Sequence, residues 1–135
     1  MILTQENYIE KAERAIKTLR NRKDERSGKT IKMVTTSKIR NLLAMAADIY
    51  NDVLSNQDEQ LSKDICERID YMQIRMVYEY GRDNEKNKPV QNFINEAQLL
   101  DCVKEVRGSK KNYILFNRYM EALVAYHKFY GGADN

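Results

Sequence analysis

The stretch that most constrains this chain runs from Asn112 to Tyr130, NYILFNRYMEALVAYHKFY, and stops at Gly131-Gly132. Phe116, Tyr119, Met120, Leu123, Val124, His127 and Tyr130 recur at steps of three and four, which aligns them on one face of an α-helix. A long helix with such a face must be covered by other elements, so the rest of the chain is expected to pack around it. The other side carries Arg118, Ala122, Ala125 and Lys128, two cations flanking two small residues, where a rod-like partner could approach the backbone.

The preceding sequence supplies those elements as further helices. Thr4 can cap a first one, with Tyr8, Ala12, Ala15, Ile16 and Leu19 as its apolar stripe and Lys11, Arg14, Lys17, Arg20, Arg22 and Lys23 around its polar side. Periodicity is lost from Asp24 to Val34, where a mobile basic loop is expected. A second helix opens at Thr35, Thr36 and Ser37 and carries Ile39, Leu42, Leu43, Ala46, Ile49, Tyr50, Val53 and Leu54 inward. A third spans about Gln60 to Gly81, with Leu61, Ile65, Ile69, Met72 and Met76 as its core line and Cys66, Val77 and Tyr80 beside it. Pro89 suits the first turn of a fourth, apolar over a wide arc and ended by Gly108, after which Ser109 caps the last. With one proline, five glycines, 42% apolar and 32% charged residues, the expectation is an all-α fold. It is a compact bundle of about five helices in a single domain spanning residues 1–135.

The absence of an apolar run near the roughly 20 residues of a membrane span, and of a signal peptide, points to a soluble, cytoplasmic protein with no membrane partner. Cys66 and Cys102 are far apart and each sits among apolar residues, which reads as free buried thiols. No ligand-spaced cysteines, HxxxH or glycine-rich phosphate loop occurs, so no metal and no cofactor is expected. The single histidine, His127, falls on the apolar stripe, where a hydrogen-bonded core residue is the commoner role than a catalytic base. The acidic group Asp58, Glu59, Asp64, Glu67 and Asp70 lies largely on one polar helix face and reads as solvated. No enzyme and no small-molecule substrate is indicated.

Charge is unevenly distributed. Residues 1–40 carry 11 Lys or Arg against 5 Asp or Glu, net +6; residues 41–80 carry 3 against 8, net −5; residues 81–135 carry 9 against 7, net +2. Two places within this pattern suggest an anionic partner. Lys38 and Arg40 sit in the first turn of the second helix, where cations oppose the helix dipole, and an anion held on the free amides of that turn would reverse the penalty. On the third helix, Tyr71, Arg75, Tyr78 and Arg82 alternate along one stripe, suiting an RNA backbone with arginines on phosphates and tyrosines against sugars and bases. The alternative for the stripe is that both tyrosines are half-buried at a helix seam with the arginines covering them.

The segments ILTQENYIEKAERAI, VTTSKIRNLLAMAADIYND, IDYMQIRMVYEYGRD and NRYMEALVAYHKFYGG occur in order over most of the chain. Together they resemble the small subunit of the type III-A CRISPR effector, the Csm complex. The resemblance implies a helical, non-catalytic antiviral-defence subunit, present in several copies stacked beside a second filament of backbone subunits. That filament holds the guide RNA (crRNA). Target RNA pairs with the guide between the filaments, and the small subunit lines the channel. Target cleavage belongs, on the same implication, to the backbone subunit, and the DNase and cyclic-oligoadenylate activities to the large subunit. Carried onto this sequence, the family's basic positions fall on Arg40, Arg75, Arg82, Arg118 and Lys128. The Lys23 to Lys32 region looks longer than the family typically has there.

The expected RNA-binding residues are thus Lys38, Arg40, Arg75, Tyr78, Arg82, Arg118 and Lys128. The expected partners are target RNA and crRNA, other copies of the chain, and the backbone and large subunits. Since one protein must serve any guide, recognition is expected to rest on the backbone without reading sequence. The competing expectation is a helical interaction module whose basic face docks an acidic protein.

Overall fold

The last amphipathic stretch forms α6 (Lys110–Phe129), and the other helices are arranged around it in a computed structural model that describes all 135 residues. These are α1 (Tyr8–Asn21), α2 (Thr36–Ser55), α3 (Lys63–Gly81), α4 (Pro89–Ala97) and α5 (Leu99–Lys104). The fold is all-α; the only β-type pairings are isolated bridges, Lys23 with Thr30 and Gln60 with Ser109. No helix is long and apolar enough to cross a membrane.

α6 buries Phe116, Tyr119, Met120, Leu123 and His127, as its spacing predicts, and also Tyr113, Leu115 and Asn117, while Val124 and Tyr130 are half-buried. Such wide burial follows from two long neighbours. α1 lies alongside in the same direction, with the Tyr130 hydroxyl donating to Glu13, and α2 runs antiparallel on the other side, its start at His127 and its end at Lys110. The buried Tyr113 hydroxyl donates to the Ala46 carbonyl at 2.6 Å, so a large ring enters the core with its polar atom satisfied.

Helix starts follow the capping residues closely. Thr4 and Asn7 exchange side-chain and backbone bonds ahead of α1; Thr35, Ser62 and Ser109 accept from the amides of Lys38, Ile65 and Asn112. Asp83, 8% exposed, reaches forward to accept from the amides of Val90 and Gln91 at the start of α4. α6 ends in a Schellman turn: Gly131 at φ +80° donates to the Lys128 carbonyl and Gly132 to the His127 carbonyl.

The expected fourth helix is two. Gln98 adopts a left-handed conformation at φ 56°, breaking the rod into α4 and α5. In an unbroken helix Ala97 and Leu99 would project about 200° apart, yet both are buried, and the break lets each face the interior. The Tyr119 hydroxyl from α6 donates to the Ala97 carbonyl at 2.9 Å, satisfying a group that an uninterrupted helix would have used itself. The expected mobile basic loop is an ordered turn: Gly28 at φ +69° donates to Asp24, Asp24 to Lys29, and Ile31 to Arg22.

Candidate nucleic-acid interface

α3 has a buried side and an unusually apolar outer side. Ile65, Ile69, Met72 and Met76 enter the core, whereas Tyr71, Ile74 and Tyr78 are 63%, 62% and 64% exposed, with Arg75 and Arg82 exposed on the same stripe. The half-buried seam offered as the alternative for the two tyrosines is therefore not what the fold builds. Val77, expected beside the core line, is also exposed, as is Leu54 at the end of α2. The Arg82 guanidinium lies 5.8 Å from the centre of the Tyr78 ring and pairs with Glu79 at 3.0 Å. Lys38 shares a shallow concavity with Arg82, Glu79 and Asp83, because α2 begins where α3 ends. Arg75 borders a separate groove between α2 and α3, whose other walls include Asp48, Asp64, Glu67 and Arg68.

The start of α2 departs from expectation. Its first amides are not free for an anion. Thr36 and Ser37 donate to the carbonyls of Ala133 and Asp134, and Lys38 to the Thr35 hydroxyl. The dipole conflict posed by Lys38 and Arg40 is met from within: the segment after α6 folds back and sets the Asp134 carboxylate 2.5 Å from Lys128 Nζ. The Lys128 ammonium, with Arg40 beyond it, holds the Asp134 carboxyl below its ordinary range. Lys128 is thus paired with an acid that the sequence reading missed, and Arg40 lies near enough to feel its charge. The available signal was Gly131-Gly132, which permits the reversal that brings a residue six positions later back to Lys128.

Arg118 stands apart from both groups. It lines a concavity of about 650 Å³ between the N-terminal segment and the start of α6, with Glu6, Glu59, Lys110 and Lys111. Lys110 is occupied by the carbonyls of Leu54 and Asn56. Glu59 is a structural residue and not simply solvated: its carboxylate accepts from the Ser109 hydroxyl and the Lys111 amide, which hold its carboxyl below the usual range. The seven expected site residues therefore fall into three groups: the α3 stripe with Lys38, Lys128 paired with Asp134 and with Arg40 beyond, and Arg118.

His127 is fully buried. The Val34 carbonyl lies 2.6 Å from Nε2, so Nε2 carries the proton, and Nδ1 accepts from the Thr36 hydroxyl at 3.2 Å. Burial pushes its pKa down. Its ring is covered by the backbone of Gly132, where any added Cβ would overlap it. It joins α6, the approach to α2 and the last segment, and it faces no cleft. Burial also raises the Cys102 thiol to about 12, which keeps it protonated and unreactive. No three His, Cys, Asp or Glu side chains converge as a metal-binding group.

Comparison with known proteins assigns this architecture. The family model Csm2 Type III-A matches residues 9–133. The chain is 40% identical over 133 residues to the CRISPR system Cms protein Csm2 of Streptococcus thermophilus, covering 98% of each. It is 28% identical over 134 residues to the protein of that name from Mycobacterium tuberculosis strain CDC 1551, covering 99% of each. A third, from Enterococcus italicus, is 36% identical over 104 residues, covering 75% of this chain and 71% of that one. With an all-α fold and a family match over nearly its whole length, the chain belongs to the Csm2 family of type III-A CRISPR subunits.

Proposed function

We propose that this Csm2 chain is a non-catalytic RNA-holding subunit of a cytoplasmic type III-A effector, gripping the backbone of the target RNA–crRNA duplex along the channel. Arg75 and Arg82 take phosphates, Tyr78 and Tyr71 lie against sugars or base edges, and Lys38 extends the row beside Arg82. Arg40 with Lys128, and Arg118, meet the nucleic acid at its edges or in neighbouring copies. The observation that carries this reading is the outer stripe of α3, where two aromatic rings and two guanidinium groups project into solvent from a helix whose other side is core. Phosphate contacts fix position and carry no sequence information, which suits a subunit that must accept any guide.

Backbone recognition by few contacts is weak per copy and salt-sensitive. If one copy meets about four phosphates, the log–log dependence of affinity on salt has a slope of order −3 to −4. Several copies along one duplex gain through effective concentration. Copies and the backbone and large subunits are the protein partners, and the acidic end of α2 and start of α3 offers them a face of opposite sign. The decisive measurement is binding of the purified chain to a short RNA duplex across a salt series. Replacing Arg75 and Arg82 by Ala is expected to weaken binding and flatten the slope by about 1.4 to 1.8, with melting nearly unchanged. An unaltered slope would reject the RNA face.

A second reading is favoured by Ile74 and Val77, 62% and 49% exposed on or beside the same stripe. Aliphatic side chains add little to phosphate binding and suit a protein surface. On this reading α3 docks another subunit, and replacing Ile74 and Val77 by Ser disrupts copurification with the other Csm subunits while RNA binding by the free chain stays as it was.

A further inference from the structure

The aromatic cluster at the end of α6 has no part in the sites described so far. Phe129 is 76% exposed, more than any other large apolar side chain of the molecule. It stands nearly perpendicular to two half-buried rings, its centre 5.0 Å from Tyr130 at 79° and 6.4 Å from Tyr126 at 89°. Tyr126 and Tyr130 lie nearly parallel, 22° apart. α1 ends alongside and brings two exposed cations to the Tyr130 ring, Arg20 at 5.2 Å and Lys17 at 5.7 Å from its centre. Glu13, the nearby acid, accepts the Tyr130 hydroxyl and stands 3.9 Å from Lys17. Arg20 sits in the last turn of α1, where the carbonyl end of the helix favours a cation. One ring is therefore held by its neighbours without being covered, with positive charge beside it.

We propose that Tyr126, Phe129 and Tyr130, with Lys17 and Arg20, form a stacking platform for an unpaired RNA base, and that Arg118 holds the same strand further along α6. This rests on the reading that the chain meets RNA, and adds a single-strand surface separate from the α3 stripe. Every base has a flat π face, so an open ring captures a strand without reading its sequence while the cations draw its backbone. A duplex already covers both faces of its bases, so the ring selects unpaired ones. The exposed aliphatic side chains that favour a protein contact lie elsewhere: Ile9 at the start of α1, Leu54 at the end of α2, and Ile74 and Val77 on α3. Arg118 precedes Phe129 by eleven residues, three helical turns and about 20°, so the two project from one face of α6 roughly 16 Å apart. Ala122 and Ala125 between them raise no obstruction, and Glu121, the only acid of α6, is engaged by the Asn117 amide at 3.2 Å.

Binding of the purified chain to a short single-stranded polyuridylate, to the same ribose-phosphate strand without bases, and to a short RNA duplex tests the platform. The strand with bases is expected to bind more tightly than the abasic one. Phe129→Ala is expected to weaken polyuridylate binding about tenfold at fixed salt, with the salt slope unchanged, and to shift duplex affinity by less than about twofold. Its melting temperature is expected to stay the same, because the ring lies largely in solvent. Phe129→Trp is expected to keep the affinity and, as the only tryptophan in the chain, to lose fluorescence with polyuridylate and not with the abasic strand. Arg20→Gln and Arg118→Gln are each expected to flatten the single-strand slope by about 0.7. Equal affinity for the two single strands, or undiminished polyuridylate binding by Phe129→Ala, overturns the platform. If Arg75→Ala with Arg82→Ala still flattens the duplex slope in that case, the platform alone falls; if it does not, the RNA reading falls with it. Loss of copurification with other Csm subunits in Phe129→Ala, at unchanged polyuridylate affinity, would assign the ring to a protein contact and likewise overturn the platform.

Discussion

α6 and α3 are rods of nearly equal length, 20 and 19 residues, that the fold treats in opposite ways. α6 is clasped by α1 and α2 and buries eight residues, including two tyrosines, an asparagine and a histidine, most of their polar atoms matched to partners. α3 buries four and sends Tyr71, Ile74, Val77 and Tyr78 into solvent. Composition does not separate the two, since both carry abundant apolar and aromatic side chains. Their neighbours do. Only an element with long helices on two sides can use its whole circumference for stability. One with a single long neighbour, as α3 has in α2 with only the short α4 and α5 besides, retains an apolar surplus, and a surplus gathered in one stripe marks a contact surface.

The largest test of that contrast is a pair of truncations. Phe116→Ala is expected to cost about 3–5 kcal/mol, since the ring is fully buried against Tyr113 and the cavity it leaves cannot close. Tyr78→Ala on α3 is expected to change stability by less than about 0.5 kcal/mol while weakening partner or RNA capture. Comparable melting losses in the two variants would erase the distinction. A smaller effect comes from Tyr119→Phe, which leaves the Ala97 carbonyl without its donor at the α4–α5 break. It is expected to lower stability by about 1–3 kcal/mol in chemical denaturation. A neutral outcome would mean that the break stands without that bond.

The smallest effect belongs to the buried histidine. Burial holds the His127 pKa below its ordinary 6.5, so below that pH the unfolded chain takes up a proton that the folded chain does not. The stabilising contribution is therefore complete above about pH 6.5 and is lost as pH falls towards the depressed folded-state value. Melting temperature is expected to drop between pH 7 and pH 5, and His127→Gln, which can still donate to Val34, is expected to flatten that part of the profile. An equally steep profile in the variant would assign the pH dependence to other groups.

Much of the fold was legible because its signals are local. Steps of three and four fixed the stripes of α1, α2 and α6, and Thr4, Thr35 and Ser109 each accept the amide bond that a capping side chain supplies, whereas the start of α3, capped by Ser62, lies three residues beyond the expected Gln60. The break at Gln98 was hidden because its cause lies outside the segment, in the Tyr119 hydroxyl reaching from α6 and in the need to bury both Ala97 and Leu99. The candidate site was legible as a list of cations and an aromatic stripe, not as an arrangement. Nothing in the spacing of Arg118 separates it from Arg75, whereas the pairing of Lys128 with Asp134 depends on a reversal after α6 that periodicity does not describe. Val77 was misplaced for a simpler reason: a position next to a core line on a helix is buried only if a second neighbour covers it, and α3 has none there.

The interruption at Gln98 also bears on where the chain tolerates a change in length. Because α4 lies against α1 and α3 while α5 lies against α3 and α6, α3 is the one neighbour that both halves share, and a residue gained or lost at the joint need not shift every buried side chain of the two halves at once. A one-residue change in length is therefore expected to cost less at Gln98 than inside α6, where a shift would turn buried side chains away from both α1 and α2 at once.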